Sequence, residues 1–134
     1  MIIEVYNQTN RNVFDLKQKL HFVFDSLEDD RKMNVIFINN IKMKEMNSFY
    51  RKKDYPTDVL SFENVIDDIY LGDVYISLTK ASSQARELGK TLIEEVVFLS
   101  LHGYLHLKGY KDDTEEELLE MIRIQDEILK KHTF

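Results

Sequence analysis

The chain has 134 residues, no cysteine, one proline, 43% apolar content and a net charge of −6. This excludes disulfide scaffolds, thiolate metal sites and low-complexity disorder, and it suits one α+β domain over 1–134 with a core that needs no staples. No run approaches the roughly 18 apolar residues of a membrane span, and the amino terminus lacks the basic-then-apolar pattern of a signal peptide. A soluble, cytoplasmic protein with no membrane partner is expected.

Residues 2–6 read as a first strand, and 12–27 as a helix with the apolar stripe Val13, Phe14, Leu16, Leu20, Val23, Phe24 and Leu27. Residues 33–38 form a second strand rich in β-branched side chains. Residues 41–50 form a short helix, with Ile41, Met46, Phe49 and Tyr50 expected inward. Pro56 punctuates a loop before a strand at 59–62, which should pair as a hairpin with 71–77 across the polar segment at Asp67 and Asp68. Helices follow at about 79–88, 91–107 and 114–131. The expected architecture is a small mixed sheet of about four strands layered with helices.

Charge is unevenly placed. Residues 112–127 hold eight Asp or Glu against Arg123, whereas 42–53 hold Lys42, Lys44, Arg51, Lys52 and Lys53 against Glu45. A basic patch can bind phosphates while a distant acidic helix stays in solvent, although both runs also fit plain solvated faces.

The chemistry is concentrated in Leu101-His-Gly-Tyr-Leu-His-Leu-Lys-Gly-Tyr-Lys-Asp-Asp113. Two histidines at i and i+4 of a helix share one face, so His102 and His106 can reach one ion. Gly109 suits a left-handed helix end, after which the chain bends back with a carboxylate. Asp112 is the better-spaced third donor. Asp113 is the alternative and the stronger candidate for starting the last helix, where Thr114 and Glu117 fit a capping box. Two imidazoles and a carboxylate with room for water describe a catalytic metal site, in the manner of a zincin helix. Gly103 stands where a zinc peptidase carries its glutamate base, which argues against ordinary proteolysis. Glu95, two turns earlier, is a candidate to orient an imidazole. His21 and His132 read as structural or solvent-exposed, the latter in a frayed terminus.

Four blocks in order, Asn47-Ser-Phe-Tyr-Arg51, Thr57-Asp-Val-Leu-Ser-Phe62, Leu71-Gly-Asp73 and His102-Gly-Tyr-Leu-His-Leu-Lys-Gly-Tyr110, resemble the YbeY family of metal-dependent endoribonucleases. The family's motif ends in Asp-His, where this chain has Lys111 and Asp112; His102 and His106 carry over directly, and Asp112 by position with a changed donor. The resemblance implies one Zn²⁺ ion, or another divalent metal, and cleavage of single-stranded RNA during maturation of ribosomal RNA (the 3′ end of the 16S species) and ribosome quality control. It also implies the ribosome or its small subunit as partner. Arg51 matches an arginine facing the cleft and is the implied catalytic and substrate-binding cation, with Lys52 and Ser61 as further substrate contacts. Thr57 and Asp58 lie in the same block, where turn hydrogen bonding explains them equally well. A non-catalytic ribosome-assembly factor and a metal-dependent hydrolase of another substrate are the competing readings.

Overall fold

Two strands of this chain are apolar on both faces, and the sheet is built outward from them. The computed structural model describes residues 1–132. Strand β2 (Lys32–Ile38) lies parallel to β1 (Ile2–Asn7) on one side and to β4 (Tyr70–Ser77) on the other. Strand β3 (Val59–Glu63) pairs antiparallel with β4, giving the order β1-β2-β4-β3 with β3 at an edge. The mixed four-stranded sheet and the β3–β4 hairpin agree with expectation.

Alternation along the strands sorts their side chains into two cores. Met33, Val35 and Phe37 join Val74 and Ile76 beneath helices α1 (Phe14–Asp25), α3 (Leu78–Leu88) and α4 (Leu92–Leu107). Ile36 and Ile38 join Leu60 in a smaller cluster under α2 (Asn40–Arg51). Helix α5 (Glu115–Lys130) adds Met121 to the large core and leaves its acidic face exposed. Among the described residues, no helix is long and apolar enough to cross a membrane.

Two expectations need correction. Helix α1 starts at Phe14 rather than Asn12, because the Asn12 side chain accepts the Phe14 N–H and turns the chain before the helix. In α2, Ile41, Phe49 and Tyr50 are not inward but 73%, 77% and 58% exposed. The helix covers only one end of the sheet and meets it through Met43, Met46 and Asn47. Asn47 is buried because its amide donates to the Tyr55 carbonyl, tying down the loop after the helix.

Helix α4 is buried nearly all round, as its apolar sequence requires. Its closest approach to the sheet is at Gly103, where an added Cβ would lie 2.6 Å from Val74 Cγ1 and 3.0 Å from Ser61 Oγ. The helix is also tied to the loop before β2. Tyr104 donates its hydroxyl to Asp29 at 2.9 Å, and the same carboxylate receives both a backbone and two guanidinium N–H groups from Arg31.

Gly103→Ala should lower stability by about 1–3 kcal/mol through overpacking, read as a lower urea midpoint, and Val74→Ala should restore part of it. An unchanged midpoint would contradict the close approach. The Arg31 hydrogen bonds, reinforced by Tyr104, hold the Asp29 carboxyl well below the usual carboxylate range. A depressed folded pKa gives stability that is complete above the ordinary value near 4 and is lost as pH falls below it. Asp29→Asn should therefore flatten the acid limb of a stability-against-pH curve; a limb of wild-type steepness would exclude this role.

Candidate metal centre

The site begins with how α4 starts and stops. Thr91 and Glu94 form a reciprocal capping box at its start. At its end Gly109 takes φ +104, a conformation that disfavours any side chain. The Gly109 N–H donates to the His106 carbonyl and the Tyr110 N–H to the Leu105 carbonyl, the paired bonds of a Schellman turn. That turn sends the chain back over the last two turns of α4, which carry His102 and His106.

The result is a triangle of donors. His106 Nε2 lies 3.1 Å from His102 Nε2 and 3.1 Å from Asp112 Oδ2, and His102 Nε2 lies 3.3 Å from the same oxygen. Tetrahedral coordination with bonds near 2.0–2.1 Å sets neighbouring donors about 3.3 Å apart. The three atoms therefore have the spacing of one face of such a polyhedron. Asp113 is not part of the triangle. The side chain that caps α5 is Thr114, with Glu117 completing the box, rather than Asp113.

The other ring nitrogens decide the protonation. His102 Nδ1 lies 3.2 Å from Gln125 Oε1, and His106 Nδ1 lies 3.1 Å from the Tyr110 carbonyl. The Gln125 amide nitrogen donates to the Phe98 carbonyl at 2.9 Å, so its oxygen is the atom turned to His102. Both partners are pure acceptors, which puts the protons on Nδ1 and leaves a lone pair on each Nε2. Two lone pairs and a carboxylate facing one another require a positive charge among them. The donor set fits a divalent ion with two neutral imidazoles and one carboxylate, the charge type of hydrolytic zinc sites. Burial disfavours the charged form of Asp112, but the positive charge gathered beside it at His106 and His102 holds its carboxyl below the usual range.

The triangle opens into a cleft of about 430 Å³ that Arg51, Thr57, Asp58 and Ser61 also line. Arg51, at the end of α2, is exposed and has no acidic partner among the described residues. Ser61 sits on the edge strand with its hydroxyl donating to the Gly103 carbonyl at 3.4 Å. Lys52 does not line the cleft; it is the left-handed cap of α2 at φ 55. Asp58 accepts the Val59 N–H and a Gln84 amide proton, and Thr57 donates to it, so these two shape the turn into β3.

Glu95 does not reach a histidine. It is 2% exposed, ion-paired with Lys90 at 3.6 Å and bridged by Gln84 to Asp58, bracing the cleft wall instead. The orienting residue that sequence reasoning missed is Gln125. Its only signal was a polar residue at i+4 from Met121 on the inward stripe of α5. His132 is buried rather than frayed, bonded to Ser26 and the Ile128 carbonyl. His21 lines a separate groove beside β1.

Comparison with known proteins gives the family. The family model for "Endoribonuclease YbeY" matches residues 3–133. The Phytoplasma mali protein of that name is 46% identical over 98% of this chain and 88% of its own length. The one from Acholeplasma laidlawii is 42% identical over 98% and 96%. A solution structure of a Thermotoga maritima protein superposes with a TM-score of 0.64 at 28% identity, covering 97% of this chain and 91% of that one. With a family model matched almost end to end and relatives this similar over most of their lengths, the chain belongs to the YbeY family.

Proposed function

We propose that this protein is a metal-dependent endoribonuclease that hydrolyses single-stranded RNA in ribosomal RNA processing, with His102, His106 and Asp112 holding one zinc ion. The observation that carries the reading is the donor triangle, 3.1–3.3 Å on each edge, opening into the cleft that Arg51 also lines. When bound, a divalent ion there supplies Lewis acidity toward a phosphodiester oxygen and acidifies water at neutral pH. Asp112 makes the site one unit less positive than three imidazoles would, which softens that acidification.

The chain's own residues supply binding and orientation. Arg51 offers a planar fork of donors to a phosphate oxygen, and the absence of an acidic partner among the described residues leaves that fork available. Ser61 lines the same cleft, with a hydroxyl able to exchange its long bond to Gly103 for a substrate oxygen. Lys52 adds attraction at longer range. Gln125 and the Tyr110 carbonyl keep both imidazoles in the tautomer that binds metal. The ribosome, or its small subunit, is the partner that ribosomal RNA processing brings, and the cytoplasm the compartment.

Gly103 speaks against a peptidase. A glutamate base has no room there, because even a methyl group meets Val74 and Ser61. Metal-assisted phosphodiester hydrolysis does not require that residue. A non-catalytic assembly factor is disfavoured by the second set of hydrogen bonds, which serves no purpose in an empty site.

His106→Ala and Asp112→Ala should each lose stoichiometric zinc, measured by elemental analysis, together with cleavage of a single-stranded oligoribonucleotide. Full-rate cleavage by the His106 variant would expose a contaminating nuclease. Gln125→Leu should keep the fold but weaken zinc binding about 10–100-fold in a chelator competition, the usual cost of a lost orienting partner. Arg51→Glu should retain zinc and lose RNA binding; retention of both would remove Arg51 from the substrate path.

A further inference from the structure

The aromatic residues that leave the core at the end of α2 have a physical arrangement of their own. Phe49 and Tyr50 meet edge to face at 4.8 Å, Tyr50 meets Phe62 at 4.9 Å, and Phe62 meets Tyr75 at 5.7 Å. Phe62 and Tyr75 are half-buried on the small-core face of the sheet, so they brace the two exposed rings from below. These contacts are T-shaped, and with Phe49 77% and Tyr50 58% exposed, ring surface remains free toward solvent. Adjacent exposed rings form a contiguous apolar patch, the kind of surface that marks an interaction site.

Their position relative to the cleft identifies the partner. Tyr50 precedes Arg51, and Ser61 precedes Phe62. In both segments one residue faces the rings and its neighbour lines the cleft. On β3 this follows from strand alternation, which sends successive side chains to opposite faces. Because β3 is an edge strand, no further strand of the sheet lies beyond it on that side. A flexible polymer crossing that edge can put a phosphate on one side and a planar group on the other.

The surroundings are basic. Lys42 lines a hollow of about 560 Å³ with Phe49, Tyr50 and Tyr75, and Lys44, Arg51, Lys52 and Lys53 lie on the same segment. Opposing them are Glu45, in that hollow, and Asp54, 3.9 Å from Lys44. Cations interleaved with aromatic rings are the surface that single-stranded nucleic acid uses, its backbone following the charge and its bases stacking on the rings. An apolar protein partner would find the same rings behind a positively charged rim.

We propose that Phe49 and Tyr50, braced by Phe62 and Tyr75, form a stacking platform for a base of the single-stranded RNA whose phosphate enters the metal cleft. The proposal rests on the endoribonuclease reading above and adds to it a subsite selective for unpaired bases. Duplex RNA, whose bases are stacked inside the helix, cannot use it.

The test measures binding of a dye-labelled ten-residue oligoadenylate to the full chain in EDTA, which prevents turnover. Phe49→Ala and Tyr50→Ala should each weaken binding about 5–100-fold, while Tyr50→Trp retains it. Both positions are exposed, so urea midpoints should stay at the wild-type value. An abasic decamer should bind wild type and both alanine variants equally weakly. The chain has no tryptophan, so Phe49→Trp gives a single tryptophan, excited selectively over the tyrosines, that oligoadenylate should quench and the abasic decamer should not. Alanine variants that bind oligoadenylate as wild type does, while Arg51→Glu loses it, would overturn the platform and leave the nuclease reading standing. So would an equal loss on the abasic decamer. Failure of wild type to bind any single-stranded RNA, with zinc as well as in EDTA, would overturn both.

Discussion

Two imidazole nitrogens 3.1 Å apart, each with its lone pair turned toward the other and toward a carboxylate, are stable only with positive charge between them. Much of the surrounding structure maintains that arrangement. The Gln125 carbonyl and the Tyr110 carbonyl fix the protons on the far nitrogens, and a left-handed glycine sets the return of the chain that delivers Asp112. Removing any one of these would let a ring rotate or flip its tautomer, and the charge requirement would disappear with it.

The helix that carries the histidines is held as firmly as a core element can be. It is buried on most of its circumference, touches the sheet through a residue with no side chain, and is fastened at Tyr104 to the Asp29–Arg31 pair. This rigidity places the donors, while Arg51 and the aromatic rings sit on a helix that covers only one end of the sheet. The cleft thus joins a fixed wall that carries the donor triangle to a more exposed wall that carries Arg51. The same division appears in the charge, with acidic residues gathered on α5 and cations on α2.

Most of the donor set was legible because helical periodicity and a glycine stop are local properties. His102, His106 and Gly109 needed only spacing, while the length of the bend favoured Asp112 and left Asp113 as the alternative. Gln125 was not legible, because its role depends on how α5 crosses α4, and nothing near it in the sequence reports that crossing. Glu95 misled for a related reason. It shares a stripe with the histidines, yet two turns separate it from them, and Lys90 and Gln84 claim its carboxylate first. Phe49 and Tyr50 misled because an apolar stripe shows which residues share a face, not whether any surface lies opposite.

The sequence by itself determined the elements, the mixed sheet with its terminal hairpin, the two histidines and the family, since each is carried by short-range patterns or by ordered blocks. Tertiary structure decided which carboxylate completes the donor triangle, which side chain orients His102, and why Gly103 admits no base. It also decided that two aromatic rings stand in solvent beside the cleft. Those outcomes depend on distances between segments far apart in the chain, and such distances are fixed only when the sheet closes and the helices pack against it.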